Sequence, residues 1–302
     1  MLWRRIQRQR MYYALALPGL AYFLIFHYLP MYGVIIAFKD YNIYKGIWGS
    51  PWTGLEVFQR LFGLANFSRA FWNTVIICLE KTVTGFPLSI ILALMLNELR
   101  SKGYNKYIST ALILPHFISW VVIYGLAYAI LSPTTGLIVA IWETLFPGAN
   151  TPNLLISSTA FRPLMVFLHS WRNVGFASIM YTAAIAGIDP QLYESAQIDG
   201  AGRWKQMTNV TLPCIFPTII TMWILRLGDL LGADFDQILT FMNSATIRTG
   251  DIIDTFVYRM GLQDAEYSLS TAAGLFKSTL SLVFVLGTNY LVKKYDRDSA
   301  LM

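Results

Sequence analysis

Two groups of residues in this 302-residue chain have types and spacings that suggest chemistry, and neither points to a covalent reaction. The first is the polar stretch Tyr193-Glu194-Ser195-Ala196-Gln197-Ile198-Asp199-Gly200-Ala201-Gly202-Arg203-Trp204-Lys205-Gln206-Met207, which runs on to Thr211-Leu212-Pro213. Asp189-Pro190 starts a helix there: the Asp side chain accepts from free N–H groups, and Pro suits the first turn. Gly200 can supply the left-handed residue that ends it. A second short helix is then expected to carry Trp204 and Met207, before Pro213 opens an apolar segment. A helix–Gly–helix of this size is more than a plain connector needs, and it reads as a docking element for a partner.

The second group consists of cations inside apolar segments: Lys81, Arg172, Arg226 and Lys277. A central Lys or Arg costs about 2.5–3.5 kcal/mol on insertion scales, so these side chains are expected to turn away from lipid. Nearby acids are few: Glu80 beside Lys81, and Asp229 at i+3 from Arg226. Trp120, Tyr124 and Tyr128 recur at i, i+4, i+8 and form one helical stripe. His116 and His169 lack metal-ligand spacing, Cys78 and Cys214 suggest neither a disulfide framework nor a metal site, and no nucleophile–base pair stands out. No catalytic residue, metal or cofactor is therefore expected.

The elements that hold these groups must be membrane helices. The chain is 55% hydrophobic and only 13% charged, with mean hydropathy +0.49, whereas soluble domains carry about a quarter charged residues. Apolar segments of spanning length fall at about 12–38, 72–96, 108–131, 164–188, 214–233 and 272–291, which gives an all-α protein with six transmembrane helices. The expected organisation is a basic tail (1–11), a transmembrane domain (12–292) and a second tail (293–302). Arg4, Arg5, Arg8, Arg10, Arg100, Lys102, Lys106, Arg203, Lys205, Lys293, Lys294 and Arg297 fall in the tails and two short links. The positive-inside rule then places both termini in the cytoplasm. The longer loops at about 39–66, 133–160 and 234–270 face outward, with a short interfacial helix expected over Gly136 to Phe146. The net charge of +6 is spread over these flanks and gives no nucleic-acid patch.

The 189–213 stretch resembles the "EAA" loop of binding-protein-dependent ABC importer permeases, Glu-Ala-Ala-x-x-Asp-Gly-Ala followed by Thr-Leu-Pro. Glu194, Ala196, Asp199, Gly200, Ala201, Thr211, Leu212 and Pro213 match it; Ser195 replaces the middle Ala, and Met207 stands where the family usually has Phe. Outer patterns resemble the oligosaccharide permeases of the LplB-like branch: Pro30-Met31-Tyr32-Gly33, Leu114-Pro115-His116-Phe117-Ile118-Ser119-Trp120 and Ala272-Ala273-Gly274-Leu275-Phe276.

The resemblance implies a type I importer permease in a bacterial or archaeal cytoplasmic membrane, moving an oligosaccharide inward by alternating access. It implies a second related permease, two cytoplasmic ATP-binding subunits and an extracytoplasmic sugar-binding protein as partners. Glu194, Ser195, Ala196, Asp199, Gly200, Ala201, Trp204 and Met207 would then couple this chain to the ATPases. The chain has no Gly-x-x-x-x-Gly-Lys-Ser/Thr loop and is not itself the ATPase.

In that setting Trp171, Arg172, Arg226 and Asp229 read either as a cationic path for an acidic sugar or as interhelical ion pairs. The Trp120–Tyr124–Tyr128 stripe reads either as a sugar-stacking face or as helix packing. The alternative to an ABC permease is an ion-gradient-driven secondary transporter, but the inverted repeat common in that class is not found and the 189–213 stretch would have no role there.

Overall fold

The computed structural model describes residues 10–99, 101–132, 134–148, 153–228 and 231–295. Among them the only β pairing is a single bridge between Lys39 and Trp52. The helices, in chain order, are α1 (Arg10–Phe23), α2 (Gly46–Gly49), α3 (Glu56–Gly63), α4 (Ala65–Asn97), α5 (Lys102–Ile113), α6 (Trp120–Leu131), α7 (Leu137–Leu145) and α8 (Ser158–Ala186). There follow α9 (Pro190–Ile198), α10 (Arg203–Gln206), α11 (Leu212–Gly228), α12 (Phe235–Phe241), α13 (Ile247–Gly250), α14 (Ile253–Tyr258) and α15 (Tyr267–Tyr295). The short helix α7 lies where an interfacial helix was expected.

Among the described residues, four helical stretches are long and apolar enough to cross a membrane: Arg10–Phe38, Ala65–Asn97, Arg203–Leu227 and Tyr267–Tyr290. A fifth is reached if the bent pair Gly103–Phe117 and Trp120–Leu131 counts as one span. The expected single spanning segment over 108–131 is thus broken, because the pair turns by 101°. The cause is local. Pro115 cannot donate into a helical ladder, the chain tightens into a 3₁₀ turn over Leu114–Phe117, and Ile118 is extended. Ser119 then caps a new helix, its side chain accepting from Val122 N at 3.4 Å. The helix at the fourth expected span, α8, has 29 residues. It carries His169, Arg172 and Asn173 near its middle, and by composition it does not join the other four.

The chain divides into two compact units, residues 1–65 with 256–276, and residues 66–255 with 277–302. In the first, Lys39 Nζ donates to Ile47 O (2.7 Å), and Ser268 Oγ donates to Lys39 O (2.7 Å) while accepting from Tyr41 N (3.0 Å). In the second, one core joins Ile77, Cys78, Trp120, Ile123, Phe161, Met165, Leu168, Ile238, Phe241 and Ile252. Another joins Ala93, Leu94, Tyr181, Ile185 and Ile215. Gly175 lets α8 lie directly on the Leu112 carbonyl of α5, where any Cβ would overlap it.

Candidate functional site

The 189–213 stretch is built by local rules. Asp189 caps α9 by accepting from Gln191 N (3.0 Å), with Pro190 at the first turn. Gly200 has φ +72°, its N–H reaches Gln197 O (3.0 Å), and Ala201 N–H reaches Ala196 O (2.9 Å). That pair of bonds is a Schellman ending. Gln206 Nε2 donates to Ala201 O (2.8 Å), and the Tyr193 and Thr211 hydroxyls lie 2.9 Å apart, so the turn is tied to the helix that follows.

That helix differs from the expected separate one. α10 runs into α11 through a π-helical turn over Met207–Thr211, and Arg203–Leu227 is one helix. The wide turn lies just ahead of Pro213, whose ring would crowd the carbonyl one turn back in a regular helix. The outer face of the stretch presents Glu194, Ser195 and Asp199 to solvent, together with Ile198 (87% exposed) and Trp204 (74% exposed). Apolar side chains with a polar surround mark an interaction surface. A cavity of about 510 Å³ opens beside it, lined by Glu98, Tyr193, Gln197, Arg203 and Gln206 among others. Met207 does not join that face; it packs against the core of Leu94, Tyr181 and Ile185.

The intramembrane cations resolve into different settings. Lys81 in α4 is 1% exposed, and its Nζ donates to Gln237 Oε1 (2.6 Å), Ala233 O (3.0 Å) and Asp234 Oδ2 (3.1 Å). Asp234 holds φ +54°, a left-handed conformation that Asp tolerates better than most residues. The same Oδ2 lies 2.6 Å from His169 Nδ1. Because a carboxylate only accepts, this contact places the imidazole proton on Nδ1 and leaves Nε2 to accept from Arg226 NH2 at 3.4 Å. Lys277 pairs with both oxygens of Asp254 (2.6 and 2.7 Å). Arg172 donates to Ile118 O (3.0 Å), and its guanidinium carbon lies 4.8 Å from the Trp120 ring centroid. Arg226 alone of the four makes no carboxylate pair or backbone bond among the described residues. It faces a cavity of about 300 Å³ with Lys81, Asp234, His169, Asn173, Phe86 and Tyr181 in the wall.

A family profile described as "Binding-protein-dependent transport system inner membrane component" matches residues 85–297. The chain belongs to this family. It is thus a multi-pass permease of the inner membrane, a component of an ABC importer with no ATPase domain of its own, and the secondary-transporter alternative is set aside. Protein LplB of Bacillus subtilis (strain 168) is 40% identical over 293 residues, 97% of this chain and 92% of the relative. The polygalacturonan/rhamnogalacturonan transport system permease protein YteP of the same organism is 40% identical over 294 residues, 97% and 91% of the two chains. A crystal structure of a bacterial ABC transporter involved in the import of the acidic polysaccharide alginate superposes with a TM-score of 0.90 at 42% identity, over 98% of this chain and 99% of that one.

Within this permease the residues singled out for a substrate path do not form one surface. Trp120 is buried under Arg172, Tyr124 packs edge-on against Phe241 (5.1 Å between centroids), and only Tyr128 of that stripe is largely exposed (48%). Trp171 is exposed at 44%, while Arg172 turns to the core. Asp229, and with it the expected Arg226–Asp229 pair, lies outside the described residues. Glu80 does not meet Lys81; the partners of Lys81 and Lys277 are Asp234 and Asp254. Both acids stand in a region read as an outer loop. Each directly follows an apolar residue, in Ala233-Asp234 and Ile252-Ile253-Asp254, and that is the signal that marks them.

Proposed function

We propose that this permease pairs with a second, related permease to form one path for an oligosaccharide, and that two ATP-binding subunits drive it through the 189–213 stretch. The reading has six crossings, with the bent α5–α6 pair and α8 completing the count, and both termini cytoplasmic. An extracytoplasmic binding protein delivers the sugar. The observation that carries it is the exposed face formed by Glu194 and Ile198 on α9, which Gly200 ends, and by Trp204 at the start of the helix Arg203–Leu227 that runs on into a span. Glu194→Lys should leave insertion intact and lower recovery of ATPase subunits with the tagged permease about tenfold, in the manner of a reversed interface charge. Normal recovery and normal uptake would remove the docking role.

For the substrate, the Arg226 cavity supports an acidic sugar. Arg226 makes no carboxylate pair among the described residues, and the one acid in the cavity wall, Asp234, is already engaged by Lys81 and His169, which leaves the guanidinium to a carboxylated ring. The names of YteP and of the alginate transporter agree with that class. Uronate oligomers should block uptake of the labelled substrate, neutral oligomers of equal length should not, and Arg226→Gln should abolish the distinction. Competition by neutral oligomers alone would make Arg226 a structural residue.

A further inference from the structure

Among the described residues Arg226 is held at one point, and that point is a neutral ring: its NH2 lies 3.4 Å from His169 Nε2. Met222, one turn earlier on α11, shares with Arg226 the wall of the cavity of about 300 Å³. On α8, His169, Asn173, Ala177 and Tyr181 follow one another in four-residue steps along that same wall. His169 is only 6% exposed and is fixed from behind, its Nδ1 standing 2.6 Å from Asp234 Oδ2. Asn173 Nδ2 comes within 3.2 Å of the same nitrogen, but it donates to the His169 main-chain oxygen at 3.0 Å. The Nδ1–H therefore goes to the carboxylate, and Nε2 is left as an acceptor facing Arg226.

Charge decides what this arrangement does. Asp234 already has Lys81 as its counter-ion at 3.1 Å, so His169 is not needed to balance it. A carboxylate in place of the ring would cancel the charge of Arg226 and occupy the fork that a substrate acid needs. A neutral imidazole does neither. It accepts one N–H and leaves the positive charge and the remaining donors to the cavity. A guanidinium free on its long stem would instead sample many rotamers, and a ligand would have to order it. We infer that His169 is a positioning residue for substrate selection, holding the Arg226 fork ready for a sugar carboxylate, and that Asp234 fixes the ring in the tautomer this requires. The inference rests on the reading of Arg226 as the acid-binding group, and it adds the residue that keeps that group in place.

Two replacements separate positioning from packing, because an Asn amide falls near the Nδ1 position and a Gln amide near the Nε2 position. Asn can still donate to Asp234 but offers nothing to Arg226. Gln offers Arg226 an amide oxygen but gives up the bond to Asp234. In the complete transporter, His169→Asn should keep membrane abundance and melting temperature. It should raise the KM for uptake of a labelled uronate oligomer about fivefold with Vmax within about twofold, the factor for ordering one long side chain. His169→Gln should show the reverse, a lower melting temperature with KM near that of the wild type. Arg226→Gln should raise KM further, and adding His169→Asn to it should change nothing more, since the histidine acts through Arg226. An unaltered KM in His169→Asn, or an equal effect of His169→Asn with and without Arg226, would overturn the positioning role while the acid-binding reading of Arg226 stands. Should His169→Asn fail to assemble, His169→Gln decides, and a KM raised fivefold there would overturn the role. An Arg226→Gln transporter with unaltered KM for the uronate oligomer would overturn both readings.

Discussion

The 189–213 stretch and the Lys81–Asp234–His169 cluster lie in the same compact unit but are assembled in opposite ways. In the stretch, the bonds that set the shape join near neighbours: Ala201 to Ala196, Gly200 to Gln197, and Gln206 to Ala201. In the cluster they join residues far apart in sequence, by 153 positions for Lys81–Asp234, 156 for Lys81–Gln237 and 65 for His169–Asp234. The stretch is therefore a rigid local shape carrying exposed side chains, and a change there should spare folding while removing an interaction. The cluster ties α4, α8 and the start of α12 together, and a change there should be felt as lost structure.

The largest effect is expected at Asp234→Asn. Asn keeps both the size and the tolerance for a left-handed backbone, but it leaves Lys81 as a buried charge without its counter-ion. Breaking a buried pair in this way costs about 3–5 kcal/mol. It should appear as a fall in melting temperature of the detergent-purified complex and in membrane abundance. Adding Lys81→Met should recover much of the loss. Full stability of Asp234→Asn alone would erase the contrast between the two regions.

The next effect is functional. Gly200 has φ +72° with nothing within 4 Å of where a Cβ would stand. Substitution there acts through the backbone alone, at about 1–2 kcal/mol for a residue that resists the left-handed region. Gly200→Val should cut uptake at least tenfold at normal abundance, and Gly200→Asn, which tolerates that region, should retain most of it. Equal uptake by the two variants would show that the turn does not matter.

The smallest effect sharpens the comparison from within the cation set. The Lys277 side chain is 21% exposed against 1% for Lys81, so water reaches this cation and weakens its pair. Lys277→Met should cost about 1 kcal/mol or less in a denaturation assay, the range of solvent-accessible pairs. A loss as large as that of Asp234→Asn would place Lys277 in the same class as Lys81.

These differences track what the sequence disclosed. Capping chemistry is local, so Asp189, Pro190 and Gly200 marked the ends of α9 before any tertiary contact was known. Pro115 and Ser119 also marked their break, but hydropathy averaged over 108–131 passed across it. The merging of α10 into α11 was hidden because a π-helical turn has no composition of its own. Asp234 and Asp254 were not legible as partners of Lys81 and Lys277, because which acid meets which cation is decided by packing of helices distant in sequence. The burial of Trp120 beneath Arg172 was hidden for the same reason: a regular i, i+4, i+8 stripe fixes a face but not what covers it.

The continuity of Arg203–Leu227 has a mechanical consequence. Arg203 at one end and Arg226 near the other are separated by about 35 Å of helix at 1.5 Å per residue. Over such an arm, each degree of tilt about the Arg203 end displaces Arg226 by about 0.6 Å. Arg226 and His169 stand 3.4 Å apart, at the limit of a hydrogen bond. A rocking of about three degrees, which sweeps Arg226 through nearly 2 Å, suffices to break that contact. Motion too slight to disturb the packing around Met207 at the near end is thus geared up into a change of partner at the far one.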